Sequence, residues 1–230
     1  MYPVAALVLS YLAGSIPSAI WLGKGLRGVD VRLHGSGNAG ATNVFRVLGW
    51  KMGLAVFLAD AAKGWLAAGP IASLALAHGP LSVGGMAAFG GMDAASGAVV
   101  WRFLCGLMAV LGHLFPVFAR FKGGKGVATM AGVLLAVTPL ALGITLAGFL
   151  AAFLATRYVA VGSLTAAVLY PLTLFVQRFV LGEALPTGLL VFGTLFGLLL
   201  FYTHRPNLAR LRAGTESRID FRAAPVVGRD

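Results

Sequence analysis

The chain has 230 residues, of which 59% are apolar and 11% charged, and its mean hydropathy is +0.89. A water-soluble protein carries roughly a quarter charged residues, so this composition excludes a soluble globular domain. The formal charge of +11 does not indicate nucleic acid: aromatic residues are not interleaved with the basic ones, and the positive-inside bias of membrane proteins accounts for the charge.

Taken in chain order, Val4–Leu22 has no charged residue and predicts a first membrane helix. It has no basic start and no small-residue cleavage site, which marks it as retained rather than removed. A polar, glycine-spaced loop, Gly35–Arg46, follows. The second apolar span, Leu54–Ala77, is interrupted by Asp60 and Lys63, which are three apart, share a helical face and are expected to pair. His78–Val100 is Gly/Ala-rich and nearly uncharged, and reads as a loop or partial helix without chemistry. Phe103–Phe118 contains His113, read as a packed side chain because its sequence neighbours offer no carboxylate to orient it. The lone Cys105 in that span reads as a packing residue.

Val127–Thr156 is too long for one crossing, since its length as helix is about 45 Å against a hydrocarbon core of about 30 Å. Thr138-Pro139 divides it, because the residue before proline is biased out of helix. Tyr158–Gln177 and Leu185–Thr203 complete the apolar segments, and a basic tail, residues 204–230, ends the chain.

Charge parity decides the count. Seven helices with the N-terminus outside place fifteen basic residues on one face, against Arg102 and Arg178 on the other. Six helices would divide the same charges nine to eight, which ignores the positive-inside rule. The expected fold is therefore an all-α integral membrane protein, a single domain over 1–230 with seven transmembrane helices and a cytoplasmic C-terminus. Its three polar motifs meet on the cytoplasmic face.

In the first motif, Gly35, Gly37 and Gly40 let backbone N–H groups curl around an anion, Ser36, Asn38, Thr42 and Asn43 add hydrogen bonds, and Arg46 adds charge. Ala41–Val47 is expected to begin a helix aimed at the same anion. A capped turn is the simpler reading, but a turn needs fewer such residues. The second motif, Phe121–Thr129, carries Lys122, Gly123, Gly124, Lys125 and Gly126. It lacks the P-loop spacing but also suits phosphate. In the third, His204, Asn207 and Arg210 offer donors to an oxyanion and Thr215-Glu216 can tie the tail to the loops. An ordinary basic tail on anionic lipid remains the alternative there.

The seven acidic residues form no paired set of the kind a divalent-metal phosphotransferase requires. No Gly-x-Ser-x-Gly elbow occurs, and no His is followed by Asp at the acyltransferase-dyad spacing.

With these residues in view, the chain resembles the bacterial acyl-phosphate:glycerol-3-phosphate acyltransferases, the PlsY family. The matching stretches are Arg32–Arg46, Gly112-His-x-x-Pro116 running into Phe121–Thr129, and His204–Glu216. The resemblance implies transfer of a fatty acyl group from acyl phosphate to the 1-hydroxyl of glycerol 3-phosphate, giving lysophosphatidic acid in a bacterial cytoplasmic (inner) membrane. It implies no metal and no cofactor. Carried over by motif, Ser36, Arg46, Lys125, His204 and Asn207 hold glycerol 3-phosphate. Gly40, Thr42 and Asn43 form much of the acyl-phosphate pocket, Ser163 contributes, and Glu216 is structural. The departure from the family pattern is His78–Val100, which is longer than usual. The rival readings are a transporter of small phosphorylated anions, which should show an internal repeat and helices broken near mid-membrane, and a lipid phosphotransferase, which needs the missing carboxylates.

Overall fold

The computed structural model describes residues 2–78 and 94–220. Most of the expected outer segment His78–Val100 lies outside the described residues, as does the end of the basic tail. Helices α1 (Tyr2–Ser15) and α2 (Ser18–Arg27) form one apolar stretch broken at Ile16-Pro17. A short helix, α3 (Ala41–Leu48), leads into α4 (Trp50–Leu66), which passes through a π turn, Ala67–Ile71, into α5 (Ala72–His78). Then come α6 (Ala94–Leu114), α7 (Val127–Val137), α8 (Pro139–Thr156), α9 (Val159–Phe179), α10 (Thr187–Thr203) and α11 (Arg205–Arg212). No strand occurs among the described residues.

Each of the seven apolar segments read from the sequence is helical, and the division at Thr138-Pro139 is present, with Pro139 opening α8. Among the described residues, five stretches are long and apolar enough to cross a membrane: Tyr2–Arg27, Trp50–Ala77, Ser96–Ala119, Pro139–Thr156 and Val159–Phe179. The α10–α11 pair, bent by 55°, makes a sixth if it is counted as one span. Helix α7 is apolar but has 11 residues, rising about 16 Å, roughly half the hydrocarbon core.

Apolar helices gain nothing from burying more carbon in lipid, so close packing has to hold them together, and glycine permits it. Between α1 and α6, a Cβ at Gly14 would lie 2.0 Å from Ala109 O, and one at Gly112 would lie 2.2 Å from Tyr11 O. Between α4 and α7, Gly64 faces Thr129 O and Gly132 faces Ala61 O, each leaving 1.8 Å for a Cβ. The main core joins Phe103, Val110, Met130, Val133, Leu174 and Phe196, with Phe103 stacked on Phe192 at 5.7 Å. Cys105 is buried with Ala6, Ala72, Ala75 and Trp101.

Two basic side chains inside helices serve interrupted backbone. Lys63 Nζ donates to Ile16 O at the α1–α2 break and to Asp60 Oδ1, both at 2.5 Å. Arg102, which the charge count set on the outer face, lies within α6. Its guanidinium donates to Ala68 O in the π turn at 3.2 Å and to Ser73 Oγ at 3.0 Å.

Candidate active site

The loop after α2 is braced before it can bind anything. Asp30 accepts from the Arg32 backbone N–H (3.1 Å), from Nε (3.0 Å) and from Nη2 (2.7 Å), and pairs with Lys24 at 3.2 Å. The Arg32 guanidinium holds the Asp30 carboxyl well below the usual carboxylate range, and Asp30 in turn raises Arg32. Arg32 Nη1 also reaches Ala119 O at 3.4 Å, tying the first loop to the second.

Gly35 and Gly37 have left-handed φ values of 59° and 70°. At Gly35 a side chain is doubly excluded, since its Cβ would lie 2.4 Å from Asn43 Oδ1. Asn43 is 1% exposed. Its Nδ2 donates to Val31 O (2.7 Å) and His34 O (3.0 Å), and its Oδ1 accepts from the Ser36 N–H (2.8 Å). The Asn43 amide is therefore committed to shaping the loop that carries Ser36, although the residue also lines the cavity described below.

The second loop turns on Gly123 and Gly124, where the Gly124 N–H donates to His113 O at 3.1 Å. Gly126, at φ 80°, starts α7. Lys125 Nζ donates to Asn207 Oδ1 on α11. Asn207 Nδ2 donates to Glu216 Oε1 (2.6 Å), and Arg210 Nε donates to Glu216 Oε2 (2.6 Å). His204 Nδ1 lies 2.8 Å from Leu200 O. A carbonyl only accepts, so Nδ1 carries the proton and the neutral ring keeps its lone pair on Nε2. Arg46 Nη2 donates to Ser217 O (2.9 Å), while its Nε is buried without a partner.

Burial lowers Arg46 and pushes Lys125 down to about 8. Glu216 opposes the shift in both, and Arg210 adds to it, as does Arg46 at Lys125. Three cations around one carboxylate make a site short of negative charge.

These groups surround a cavity of about 430 Å³. Of the expected residues, Ser36, Asn38, Gly40, Thr42, Asn43, Arg46, Lys125, Gly126, Ser163, His204, Asn207 and Glu216 line it. Gly35 and Gly37 are not on its wall; they shape the first loop, and Arg210 acts through Glu216. Lys122, Gly123 and Gly124 line a second, much smaller cavity of about 10 Å³.

Sequence reasoning missed two kinds of wall residue. Asp60 and His113 border both cavities, and their ring-to-carboxylate approach is 3.7 Å. An apolar side is built by Trp50, Leu54 and Phe57 on α4 and by Phe149 and Phe153 on α8. The spacing of Trp50, Leu54 and Phe57 is a helical stripe, the one sequence signal that could have found it. Among the described residues no three His, Cys, Asp or Glu gather to ligate a metal. The polar wall is cationic.

Residues 4–214 match the family described as glycerol-3-phosphate acyltransferase. A glycerol-3-phosphate acyltransferase of Salinibacter ruber is 50% identical, over 93% of this chain and 90% of the relative. One of Chlorobaculum tepidum is 44% identical, over 95% of this chain and 97% of its own. The crystal structure of PlsY (YgiH), an integral membrane glycerol 3-phosphate acyltransferase, in its glycerol 3-phosphate form superposes with a TM-score of 0.77. The identity there is 36%, with 96% of each chain covered. Its lysophosphatidic acid form gives 0.75 at 36% identity, over 96% of this chain and 97% of that one.

Proposed function

The chain belongs to the glycerol-3-phosphate acyltransferase family, and from that premise we propose that its donor is acyl phosphate and that the 430 Å³ cavity holds both substrates. The protein is a multi-pass membrane enzyme that transfers an acyl group to glycerol 3-phosphate, the first acylation of phospholipid synthesis. The observation that carries the site reading is the hydrogen-bonded series Lys125–Asn207–Glu216–Arg210, flanked by Arg46, on the wall of a cavity whose other side is apolar. One half suits phosphate and the other suits an acyl chain reaching in from the bilayer.

Ser36, Arg46, Lys125, His204 and Asn207 bind the glycerol 3-phosphate. The first turn of α3, with Gly40 and Thr42, receives the acyl-phosphate head, and Ser163 borders it. Two like charges about 5 Å apart repel by about 3 kcal/mol at an effective dielectric of 20, and the clustered cations offset that repulsion. Acyl phosphate is a mixed anhydride, so no covalent nucleophile is needed. The glycerol 1-hydroxyl oxygen attacks the carbonyl carbon, and backbone N–H groups of the glycine loop stabilise the oxyanion. The carbon–oxygen bond to phosphate then breaks, and a phosphate oxygen takes the hydroxyl proton. Phosphate and lysophosphatidic acid result.

The topology that suits this chemistry has seven crossings with the N-terminus outside, α7 and α8 forming a hairpin, and the site on the cytoplasmic face of a bacterial inner membrane. The test is to incubate purified protein with labelled glycerol 3-phosphate and either acyl phosphate or acyl-CoA. Product from acyl phosphate is expected. Product from acyl-CoA alone overturns the donor assignment.

A further inference from the structure

Asp60, Lys63 and His113 have no part in the chemistry above, yet they are only 2%, 5% and 7% exposed. Lys63 joins the carbonyl of Ile16, in the α1–α2 break, to Asp60 Oδ1 at 2.5 Å each. His113 Nδ1 lies 3.7 Å from the same Oδ1. His113 in turn bears on the glycine turn. A Cβ at Gly123 would sit 1.9 Å from His113 O, and one at Gly124 would sit 2.2 Å from His113 Nε2. The next residue is Lys125, bonded to Asn207. An unbroken series of contacts therefore runs from the helix break, through α4 and the end of α6, to the phosphate-binding lysine.

Stability alone does not account for this series. Replacing a buried ion pair by apolar side chains is often neutral or stabilising, and charges within membrane spans are costly to keep. Ile16 O does not depend on Lys63 either, since the Ser18 N–H also reaches it at 3.0 Å.

We propose that Asp60, Lys63 and His113 are positioning residues for the acyl transfer, clamping the Gly123–Gly124 turn to the α1–α2 break and so setting Lys125 at the glycerol 3-phosphate site. The proposal deepens the reading of this cavity as the glycerol 3-phosphate site and rests on it.

The test uses the full chain in detergent micelles, with an Asp60→Val/Lys63→Met double variant that removes both charges together. Three quantities are read: thermal unfolding, equilibrium binding of radiolabelled glycerol 3-phosphate without any acyl donor, and KM against kcat. A purely structural pair is replaced by the apolar pair without functional loss. A positioning pair leaves folded protein whose glycerol 3-phosphate binding is about tenfold weaker, with KM rising more than kcat falls. A folded double variant with affinity within twofold of wild type overturns the proposal. Should that variant not fold, His113→Leu decides, since it keeps the carbonyl that Gly124 uses and removes the imidazole. Binding weakened fivefold or more supports positioning, and wild-type affinity overturns it. Wild-type protein that binds glycerol 3-phosphate but uses no acyl phosphate sinks the donor assignment and leaves these comparisons intact. Wild-type protein that binds none overturns the site reading and this proposal together.

Discussion

Lys125 gives the sharpest test, because burial pushes its ammonium down to about 8, into the range of an ordinary assay. If the charged form grips the substrate phosphate, the free enzyme loses that grip as pH rises through 8. A group titrating at about 8 is roughly 90% neutral at pH 9, so KM for glycerol 3-phosphate should rise about tenfold between pH 7 and pH 9. The phosphate is already a dianion above about pH 6 and does not produce this change. The folded value is below the ordinary 10.5, so the unfolded chain binds more protons between about 8 and 10.5. The substrate-free protein therefore gains stability as pH rises through that window, by on the order of 3 kcal/mol at most. Saturating glycerol 3-phosphate restores the proton and abolishes the gain. The assay is initial rate against glycerol 3-phosphate at fixed donor from about pH 6.5 to 9.5, with thermal unfolding alongside. Lys125→Arg keeps its charge throughout and should show a higher but pH-independent KM above pH 8. A flat wild-type KM up to pH 9.5, or an alkaline rise that survives in the arginine variant, refutes the reasoning.

Ser36→Ala and Arg46→Ala should each lower kcat/KM by about 10²-fold or more, as loss of an oxyanion or phosphate donor does, with monodisperse protein on size exclusion. Near-normal activity in both removes the first motif from the site. Asn43→Ala deletes one buried and two part-buried hydrogen bonds to the loop backbone and should destabilise the fold by about 2–4 kcal/mol, read as a lower unfolding temperature together with weaker glycerol 3-phosphate binding. Gly132→Leu puts a side chain where Ala61 O leaves 1.8 Å for a Cβ, so α4 and α7 must separate and folded yield should collapse. An unchanged yield would mean that this crossing is not tight.

The parts of the fold legible in sequence were those with local causes. Pro139 ends α7 because the residue before a proline leaves helical geometry, and Asp60 and Lys63 meet because three residues is one helical turn. The glycine loops were legible because so many glycines and amides in an apolar chain have few other uses. What stayed hidden needed tertiary contact. Asp60 reaches His113 across 53 positions, and no periodicity links them. Arg102 was assigned to the outer face because a count of charges cannot see the π turn whose carbonyl it serves. The apolar wall of the cavity was hidden for another reason. In a chain this apolar, Phe149 lining the cavity and Leu150 exposed on the outer surface look alike.

Lys63, Arg102, Lys125 and Arg46 fall into two kinds by what they bond. Lys63 and Arg102 donate to carbonyls at a proline break and a π turn, where the helical ladder is interrupted. A carbonyl short of donors is costly in hydrocarbon, so Arg102 serves the backbone of the π turn, whereas Lys63 adds a second bond to a carbonyl that the Ser18 N–H already reaches. Lys125 and Arg46 serve no such break. Lys125 bonds a side-chain amide, and Arg46 satisfies one loop carbonyl while its Nε stays buried without an acceptor. An anionic substrate can improve the bonding of the second pair and can only disrupt that of the first. The same distinction explains why Asp60 neutralises Lys63 one turn away, whereas Glu216 is shared among Asn207, Arg210 and the field of Lys125 and leaves an excess of positive charge facing the cavity.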